Sequence, residues 1–296
     1  MPWFTRNPQP SEVSEEISST ALSPLSHITQ EQHRQFFQHY MMRTILGGNI
    51  VAPLPYTPST IVDVGCGTGQ WVLDVANEIP AAKVIGIDLE LPQTGTTHPH
   101  YPRNCSFERL NALDPLPYAP QSIDYVHLRF MSSALPLDTW PQVIPRLASY
   151  VKMGGWIEWV ESGPIYAAGP AFQQLCAAWE ELRRRHGHLA HPGPQIAQSL
   201  QLAGLIGVVY QPVRVPIGAY GGRLGRMVAQ DGIATFRALR PGILEFQLMT
   251  PQEFDWCIDQ AQFEVNDQRG AFQSTWEIAV AYGHRGVSRP SLPRRR

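Results

Sequence analysis

The sequence is poor in cysteine, and its four cysteines form no pattern. Cys66, Cys105, Cys176 and Cys257 are widely spaced, and none belongs to a C-x-x-C pair. This spacing excludes a disulfide framework and offers no zinc-binding set. The histidines between residues 186 and 191 do not change this, because no acid or cysteine completes a ligand set. We therefore predict no metal site.

Charge is also scarce and balanced. Charged residues make up 16% of the chain, and the formal net charge is −2. Such a chain has no electrostatic field that would gather a polyanion, so we expect no nucleic-acid partner. No apolar run is long enough to cross a membrane, and prolines and acids occupy residues 1–16, where a signal peptide has a basic and then an apolar stretch. We expect a cytoplasmic protein without a membrane partner.

Apolar residues make up 43% of the chain, which is typical of a globular α/β domain with insertions. A helix is predicted to begin at the N-cap Thr29, with Gln32 as its capping-box partner, and to stop at Gly47. The predicted segments are a flexible arm (1–28), a helical lid and linker (29–58), a main domain (59–284) with insertions at about 163–250 that cap the substrate, and a basic disordered tail (285–296).

Strand and helix patterns alternate from residue 60 onward, which is typical of βαβ units and a mainly parallel sheet. Strands are predicted at 60–65, 82–90, 105–112, 122–130, 155–162, 207–215 and 275–283. Helices are predicted at 69–79, 139–151, 170–186, 194–205, 227–239 and 250–261, and the segment 216–226 is rich in glycine. The helix at 250–261 has a capping box of Thr250 and Glu253. The crossover between 91 and 104 carries no clear helix pattern.

The stretch IVDVGCGTGQW (61–71) is the most informative in the chain. Gly65, Gly67 and Gly69 follow a buried strand and precede a helix, so a ligand can lie close to the backbone of this loop. Asp88 ends the next strand, where a carboxylate can accept both hydroxyl groups of a ribose. The spacing G-x-G-x-G differs from the dinucleotide fingerprint, which makes NAD the second choice. A tight turn without a ligand, with Asp88 as an N-cap, is the structural alternative.

Several motifs together resemble class I S-adenosyl-L-methionine (SAM)-dependent methyltransferases. DVGCGTGQW, VIGIDLE and GGWIEWVE look like the first motif, the ribose strand and the fifth-strand region of that class. QHYMMRTILGGNIVAPL, YPRNCSF and YVHLRFM add a resemblance to the group that includes the fungal secondary-metabolism regulator LaeA and related bacterial enzymes. The resemblance covers residues 30–162 well and the rest weakly. It implies a Rossmann-like α/β fold, with an antiparallel last strand, an N-terminal helical segment and helices inserted after the fifth strand.

The resemblance also implies how SAM, and its product S-adenosylhomocysteine (SAH), would be held. The three glycines would lie beside the methionine part, with Asp63 holding the loop or the amino group and Asp88 on the ribose. Leu89 would flank the adenine. Further candidates for contact with the ligand are Cys66, as a small side chain in the loop, and Asn111 with Ala112, at the position where many relatives have an Asp near the adenine amino group.

Methyl transfer from a sulfonium needs an aligned nucleophile and exclusion of water, and a general base helps. His127 and Arg129 end the fourth strand, so His127 is a candidate base or SAM contact and Arg129 a candidate partner for a carboxylate. A packed histidine and a structural ion pair are the alternatives. On the N-terminal helix, Tyr40 is a candidate to cover the sulfonium and Arg43 a candidate near the carboxylate, unless this stripe is core.

We expect a methyltransferase acting on a small organic acceptor in secondary metabolism. Oxygen is the preferred acceptor atom, and nitrogen and carbon stay open as alternatives. Helix 170–186, the histidines that follow it and the glycine-rich loop 216–226 are the expected substrate wall. Two alternatives use the same loop and Asp88: a SAM-binding regulator acting through a protein partner, and an enzyme in which SAM assists a cyclisation or rearrangement. A homodimer through the N-terminal helices is expected by analogy alone.

Overall fold

Alternating strands and helices build the fold, in the order that the sequence pattern predicts. The structure, a computed structural model, describes residues 30–92, 101–267 and 271–286. Its strands are β1 (Thr60–Val64), β2 (Lys83–Asp88), β3 (Cys105–Arg109), β4 (Ile123–Arg129), β5 (Val151–Tyr166), β6 (Leu205–Pro216) and β7 (Thr275–Arg285). Its α-helices are α1 (Gln30–Leu46), α2 (Gln70–Glu78), α3 (Trp140–Tyr150), α4 (Pro170–Arg185), α5 (Gly193–Leu202), α6 (Gly222–Glu245) and α7 (Pro251–Asn266).

The seven strands form one sheet in the order β3-β2-β1-β4-β5-β7-β6. Strands β1 to β5 pair in parallel, whereas β7 runs antiparallel to both β5 and β6. The chain leaves β1 toward β2 and β3 on one side and later continues from β4 on the other. This reversal opens a crevice at the carboxyl ends of β1 and β4, where α/β sheets bind ligands. The class I methyltransferase fold, including its antiparallel last strand, is confirmed.

The central strands are apolar because helices cover both faces of the sheet. On one face, Val62 and Leu128 pack against Trp140 and Ile144 of α3, together with residues of α5. On the other face, α2 covers the β1 end through Trp71, and helices α1, α4, α6 and α7 cover the β5 and β7 side. Burial on both faces fixes the strands and holds their carboxyl ends rigid at the crevice.

Helix α1 lies across the second face, between α2 and α6. On the α6 side, the Gln38 side chain donates to Asp231 at 2.9 Å, and Arg34 forms an ion pair with the same carboxylate at 3.3 Å. On the α2 side, His39 bonds Asp74 at 2.9 Å. These contacts fix the helix above the crevice. The predicted N-cap Thr29 lies outside the described residues.

One predicted helix start is confirmed, and two other boundaries differ from the sequence pattern. The capping box is confirmed, because Thr250 accepts a hydrogen bond from the Glu253 amide and Glu253 accepts one from the Thr250 amide. Helix α6 begins at Gly222, five residues before the helix pattern in the sequence, and Leu224 already packs into the apolar cluster of this face. Strand β7 extends to Arg285, one residue into the predicted tail.

Some predictions concern residues that the structure does not describe. The arm, the rest of the tail and most of the uncertain crossover, residues 93–100, lie outside the described ranges. Among the helices of the described ranges, none combines the length and the apolar character needed to cross a bilayer.

Candidate functional site

A cavity of about 320 Å³ opens at the carboxyl ends of β1, β2 and β4, beneath α1. Its volume falls in the range of small-molecule sites. The predicted site residues that line it are Asp63, Gly65, Cys66, Gly67, Asp88, Leu89, Asn111, Ala112, His127 and Arg129. The other side chains of its wall are Arg34, Gln35, Gln38, Thr68, Ile87, Leu110, Phe130, Met131, Ala134 and Leu135.

The glycine loop forms the floor of the cavity. Gly65 has a φ of +75°, which a side chain rarely adopts, and a Cβ there would collide with the Met131 thioether. The amides of Gly65 and Cys66 both donate to the Ile87 carbonyl, at 2.8 and 3.1 Å. These bonds join the loop to the end of β2, so several of its N–H groups face inward rather than toward a ligand. The bare glycine surface is what remains open to the cavity.

Gly69, the third glycine, does not line the cavity. A Cβ on Gly69 would come within 2.6 Å of the Phe107 ring and within 3.1 Å of Pro92. Close packing at the start of α2 therefore requires this glycine. The expectation that it lies beside the ligand does not match its position.

Asp88 lies at the end of β2, where it bonds the glycine loop and lines the cavity. One carboxylate oxygen accepts the Gly67 amide at 2.8 Å, and the other accepts the Glu90 amide at 3.3 Å. The side chain is half-buried and lines the cavity, so its remaining lone pairs can meet a ligand hydroxyl. The next residue, Leu89, is 59% exposed at the rim.

Asn111 and Ala112 follow β3 at the same end of the cavity. The Asn111 side-chain carbonyl accepts the Leu113 amide at 3.0 Å in a local turn. Its amide nitrogen has no hydrogen-bond partner among the residues that the structure describes. Asn111 therefore offers amide donors at the cavity.

Asp63 and His127 form a buried pair on neighbouring strands. Their residues are directly paired in the β1–β4 register, and Asp63 Oδ1 lies 2.7 Å from His127 Nδ1. The indole of Trp71 stacks on the imidazole with a centroid distance of 4.0 Å. In the described ranges, no residue hydrogen-bonds the second ring nitrogen. His127 is therefore held in a single orientation at the wall of the cavity, by the carboxylate and the indole.

A third polar residue, Glu158 on β5, lies directly beside His127 in the sheet register. It is fully buried, and its Oε2 accepts the amides of Val51 and Ala52 at 2.9 and 2.6 Å. Burial raises the pKa of this carboxyl group. Glu158 thus ties the linker after α1 to the sheet.

Arg129 ends β4 and also lines the cavity. Its guanidinium donates to His39 Nδ1 at 3.3 Å, and no carboxylate in the described part of the chain forms an ion pair with it. Burial lowers the pKa of the guanidinium, although Asp63 and Asp74 oppose this effect. The alternative of a structural ion pair is therefore not seen among the described residues, and Arg129 lines the cavity as a cation.

The positions of Tyr40 and Arg43 differ from the ligand contacts that the sequence suggests for them. Neither lines the cavity. The Tyr40 hydroxyl accepts a hydrogen bond from Gln70 at 3.0 Å, and Arg43 pairs with Asp74 at 3.3 Å and with Glu78 at 3.0 Å. Both side chains thus face α2, because its polar groups hold them there.

The helix presents a different set of side chains to the cavity, namely Arg34, Gln35 and Gln38. Polar residues of this type on a polar helix gave no signal to single them out. Met131, at the start of the turn after β4, was also missed.

Cys66 is not a nucleophile at this site. The thiol is buried within the loop, and burial raises its pKa well above its ordinary range, an effect that the charges of Asp63 and Asp88 reinforce. The thiol therefore stays protonated near neutral pH and acts as a small packing group, as the sequence predicts.

The expected substrate wall does not line this cavity. Helix α4, the histidines after it and the loop 216–226 contribute none of the wall residues. Arg183 belongs to a run of arginines at a helix end, which is usually solvated, yet it is buried because it donates to the hydroxyl groups of Ser132 and Ser133 at 2.7 and 2.6 Å. It thereby braces the turn that carries Met131. No cluster of three or more potential metal ligands occurs in the described ranges.

Comparison with known proteins relates this chain to methyltransferases. Residues 61–155 match the model of a family described as a methyltransferase domain. The chain is 33% identical over 209 residues to the secondary metabolism regulator laeA of Aspergillus fumigatus, covering 64% of this chain and 52% of that protein. This chain thus spans about half the length of the laeA proteins it matches. It is also 26% identical over 273 residues to the N-methyltransferase gliN of Aspergillus fumigatus, covering 85% of this chain and 94% of that protein.

A solved structure supports the fold alone. Phosphoethanolamine N-methyltransferase 2 of Haemonchus contortus, in complex with phosphomonomethylethanolamine and S-adenosylhomocysteine, aligns with a TM-score of 0.50 at 14% identity. The alignment covers 86% of this chain and 58% of that one.

Proposed function

We propose that this chain, which carries a class I SAM-dependent methyltransferase domain of the LaeA-like group, transfers the methyl group of SAM to a small organic acceptor. One observation carries the proposal. A bare glycine floor, tied to the Asp88 carboxylate, lies in the same cavity as a buried Asp63–His127 pair.

The residues present fit SAM. A Cβ at Gly67 would come within 2.9 Å of Gln35 Oε1, so this glycine lets α1 approach the loop and cover the cavity. Asp88 offers acceptors for the ribose hydroxyls, and Leu89, Asn111 and Ala112 form the end of the cavity that suits an adenine. When bound, SAM supplies a methyl group on a sulfonium, which a nucleophile can take without further activation of the leaving group.

His127 is the base in this proposal. Because Nδ1 is bonded to the Asp63 carboxylate, we assign the ring proton to Nδ1 and the free lone pair to Nε2. Nε2 can then remove the proton of the acceptor, while Asp63 stabilises the charged ring. Such a positioned base typically contributes about 100-fold or more to a rate.

Helix α1 excludes water from the reaction. Arg34, Gln35 and Gln38 cover the cavity, and the contacts of Arg34 and Gln38 with Asp231 hold the helix closed. Exclusion of water strengthens electrostatic interactions inside the cavity and prevents loss of the methyl group to solvent.

The acceptor atom favoured is nitrogen. The sequence argument preferred oxygen, but gliN, which this chain matches along 94% of its length, is an N-methyltransferase. An amine needs little activation beyond loss of its proton, which His127 can accept. Oxygen in a phenol or carboxylic acid is the alternative.

The test is mass spectrometry of reactions with SAM that carries a deuterated methyl group, using matched panels of amines, phenols and carboxylic acids. We expect a labelled methyl group on an amine. His127→Asn should keep affinity for SAH and lose turnover by about 100-fold. His191→Asn is the matched control and should behave as wild type, because His191 is half-buried outside the cavity and pairs with Glu180.

A second candidate is a regulator that binds SAM and acts through a protein partner, which the similarity to laeA favours. It predicts SAH binding with no labelled product from any acceptor class. Labelled product that disappears in His127→Asn would exclude this candidate as the main role. Absence of SAH binding would contradict both candidates.

A further inference from the structure

We propose that Arg129 receives the carboxylate at the amino-acid end of SAM, and that His39 on α1 is the residue that positions its guanidinium for this contact. The inference rests on the proposed function, since it concerns how the same cavity binds the same cofactor. It adds a positioning residue that does not itself line the cavity.

The position of Arg129 follows from the strand order. Strand β1 and its glycine loop lie between β2 and β4, so Asp88 at the end of β2 and Arg129 at the end of β4 are on opposite sides of the loop. Neighbouring strands are about 4.8 Å apart, which separates these two strand ends by about 10 Å. A ligand with its ribose at Asp88 and its body across the glycine floor therefore extends its other end toward Arg129.

Among the described residues, no direct ion pair neutralises the charge of Arg129. Asp63 and Asp74 attract the guanidinium, but neither bonds it, since Asp63 bonds His127 and Asp74 bonds His39 and Arg43. A buried cation without a bonded anion is costly unless a ligand supplies one. A carboxylate matches the planar guanidinium fork and could form two parallel hydrogen bonds with it.

The hydrogen bonds of His39 define its protonation state. An arginine side chain has only donors, so His39 Nδ1 must be the acceptor of the 3.3 Å bond from Arg129. The ring proton therefore lies on Nε2, which donates to Asp74 at 2.9 Å. Burial lowers the pKa of His39 to about 4, and the charge of Arg129 adds to this effect. At neutral pH the ring is neutral and can hold the guanidinium.

His39 thus connects two anchors. Its Nε2 fixes it to α2 through Asp74, whose carboxylate is also held by Gln70 and Arg43. Its Nδ1 then restrains a long side chain that has no other hydrogen-bond partner in the described ranges. The restraint lowers the entropy that Arg129 would lose on binding a carboxylate.

The experiment compares two nucleosides in calorimetric titrations of the full chain. SAH carries the amino-acid end, whereas 5′-methylthioadenosine shares its adenosine and thioether but lacks that end. Arg129→Met should weaken SAH binding by about 100-fold and leave 5′-methylthioadenosine within about twofold. Unchanged SAH affinity in Arg129→Met, with wild-type SAH binding intact, would overturn this inference and leave the proposed function standing.

Two substitutions separate the functions of the two ring nitrogens. His39→Asn places an amide group at the depth of Nδ1 and keeps an acceptor for Arg129, whereas His39→Gln reaches the depth of Nε2 and keeps the contact with Asp74. We expect His39→Gln to weaken SAH binding by about 10-fold and His39→Asn to weaken it by less than about threefold. The affinity for 5′-methylthioadenosine should be unaffected by either substitution. In an Arg129→Met background, His39→Gln should have no further effect on SAH.

Glu78→Gln is the matched control, because it weakens the contact between Arg43 on α1 and Glu78 on α2 without touching Arg129 or His39. It should bind both nucleosides as wild type does. Equal weakening of SAH by the two His39 variants, or equal weakening of both nucleosides, would show that His39 is only structural. If the wild-type protein bound neither nucleoside, the proposed function itself would fail.

Discussion

The neutral, buried ring of His39 gives the stability of the protein a measurable dependence on pH. Its pKa is about 4 in the folded chain, against 6.5 for an unperturbed histidine, chiefly because of burial. Between these values the unfolded chain binds a proton that the folded chain does not. The contribution of His39 to the free energy of unfolding is fully present above pH 6.5 and is lost as the pH falls toward 4.

The size of the effect follows from the two pKa values. A separation from 6.5 to about 4 corresponds to about 3 kcal/mol of unfolding free energy in total. Linkage gives a loss of about 2 kcal/mol between pH 7.5 and pH 5.0. The ring is almost wholly buried, at 1% exposure, so solvent screening does not reduce this value.

Asp74 and Arg129, which face the ring, change their protonation little over this range. Burial raises the pKa of Asp74, but its hydrogen bond to His39 and the charge of Arg43 outweigh burial and hold the pKa below its ordinary value. Asp74 therefore stays ionised at pH 5. Arg129 stays protonated throughout, because burial lowers its pKa from a value far above this range.

The assay is urea unfolding, followed by tryptophan fluorescence, at pH 7.5, 6.0 and 5.0. His39→Gln keeps a neutral side chain at all three values. We expect the wild type to lose about 2 kcal/mol more than this variant between pH 7.5 and 5.0. Parallel pH profiles for the two proteins would refute the buried neutral histidine.

Three further predictions concern the floor of the cavity and its support. Asp88→Ala should weaken SAH binding by about 10-fold or more, because a charge-assisted contact is lost, while Glu90→Gln should bind normally in the same titration. Gly65→Ala should lower the unfolding free energy by about 1–3 kcal/mol and displace Met131; an unchanged melting temperature would contradict this. Glu158→Ala should cost about 3 kcal/mol in urea unfolding, because two buried amides lose their acceptor, and a loss below about 1 kcal/mol would contradict the buried contacts.

The glycine loop and the strand ends could be predicted because both follow from local patterns. A buried strand, three glycines and a helix start define the turn, and a parallel sheet brings the carboxyl ends of its strands to one edge. Asp88, His127 and Arg129 were therefore found as candidates from their positions at strand ends. Their partners were not, since Asp63 and His127 are 64 residues apart in the chain.

The rotation of α1 could not be predicted for a physical reason. The helix is polar on several sides, so its pattern does not show which face meets the cavity. Tyr40 is turned toward Gln70 on α2, whereas Gln38, two residues earlier, bonds Asp231 on α6. Which face of α1 points toward the cavity depends on contacts with acids and amides that lie far away in the sequence.

The burial of Arg183 was missed for the same reason. A run of arginines at a helix end is usually solvated, as its neighbours are here. Arg183 is buried instead, because the hydroxyls of Ser132 and Ser133 lie within its reach in the folded chain. Only the tertiary structure brings these residues together.

The most direct test of the account is a calorimetric titration of the wild-type protein with SAM, SAH and NAD under identical conditions. The account predicts saturable binding of both sulfur nucleosides with one site per chain, and no binding of NAD at the same concentrations. No heat from SAM or SAH, or tighter binding of NAD, would contradict the assignment of the glycine loop and Asp88 to SAM.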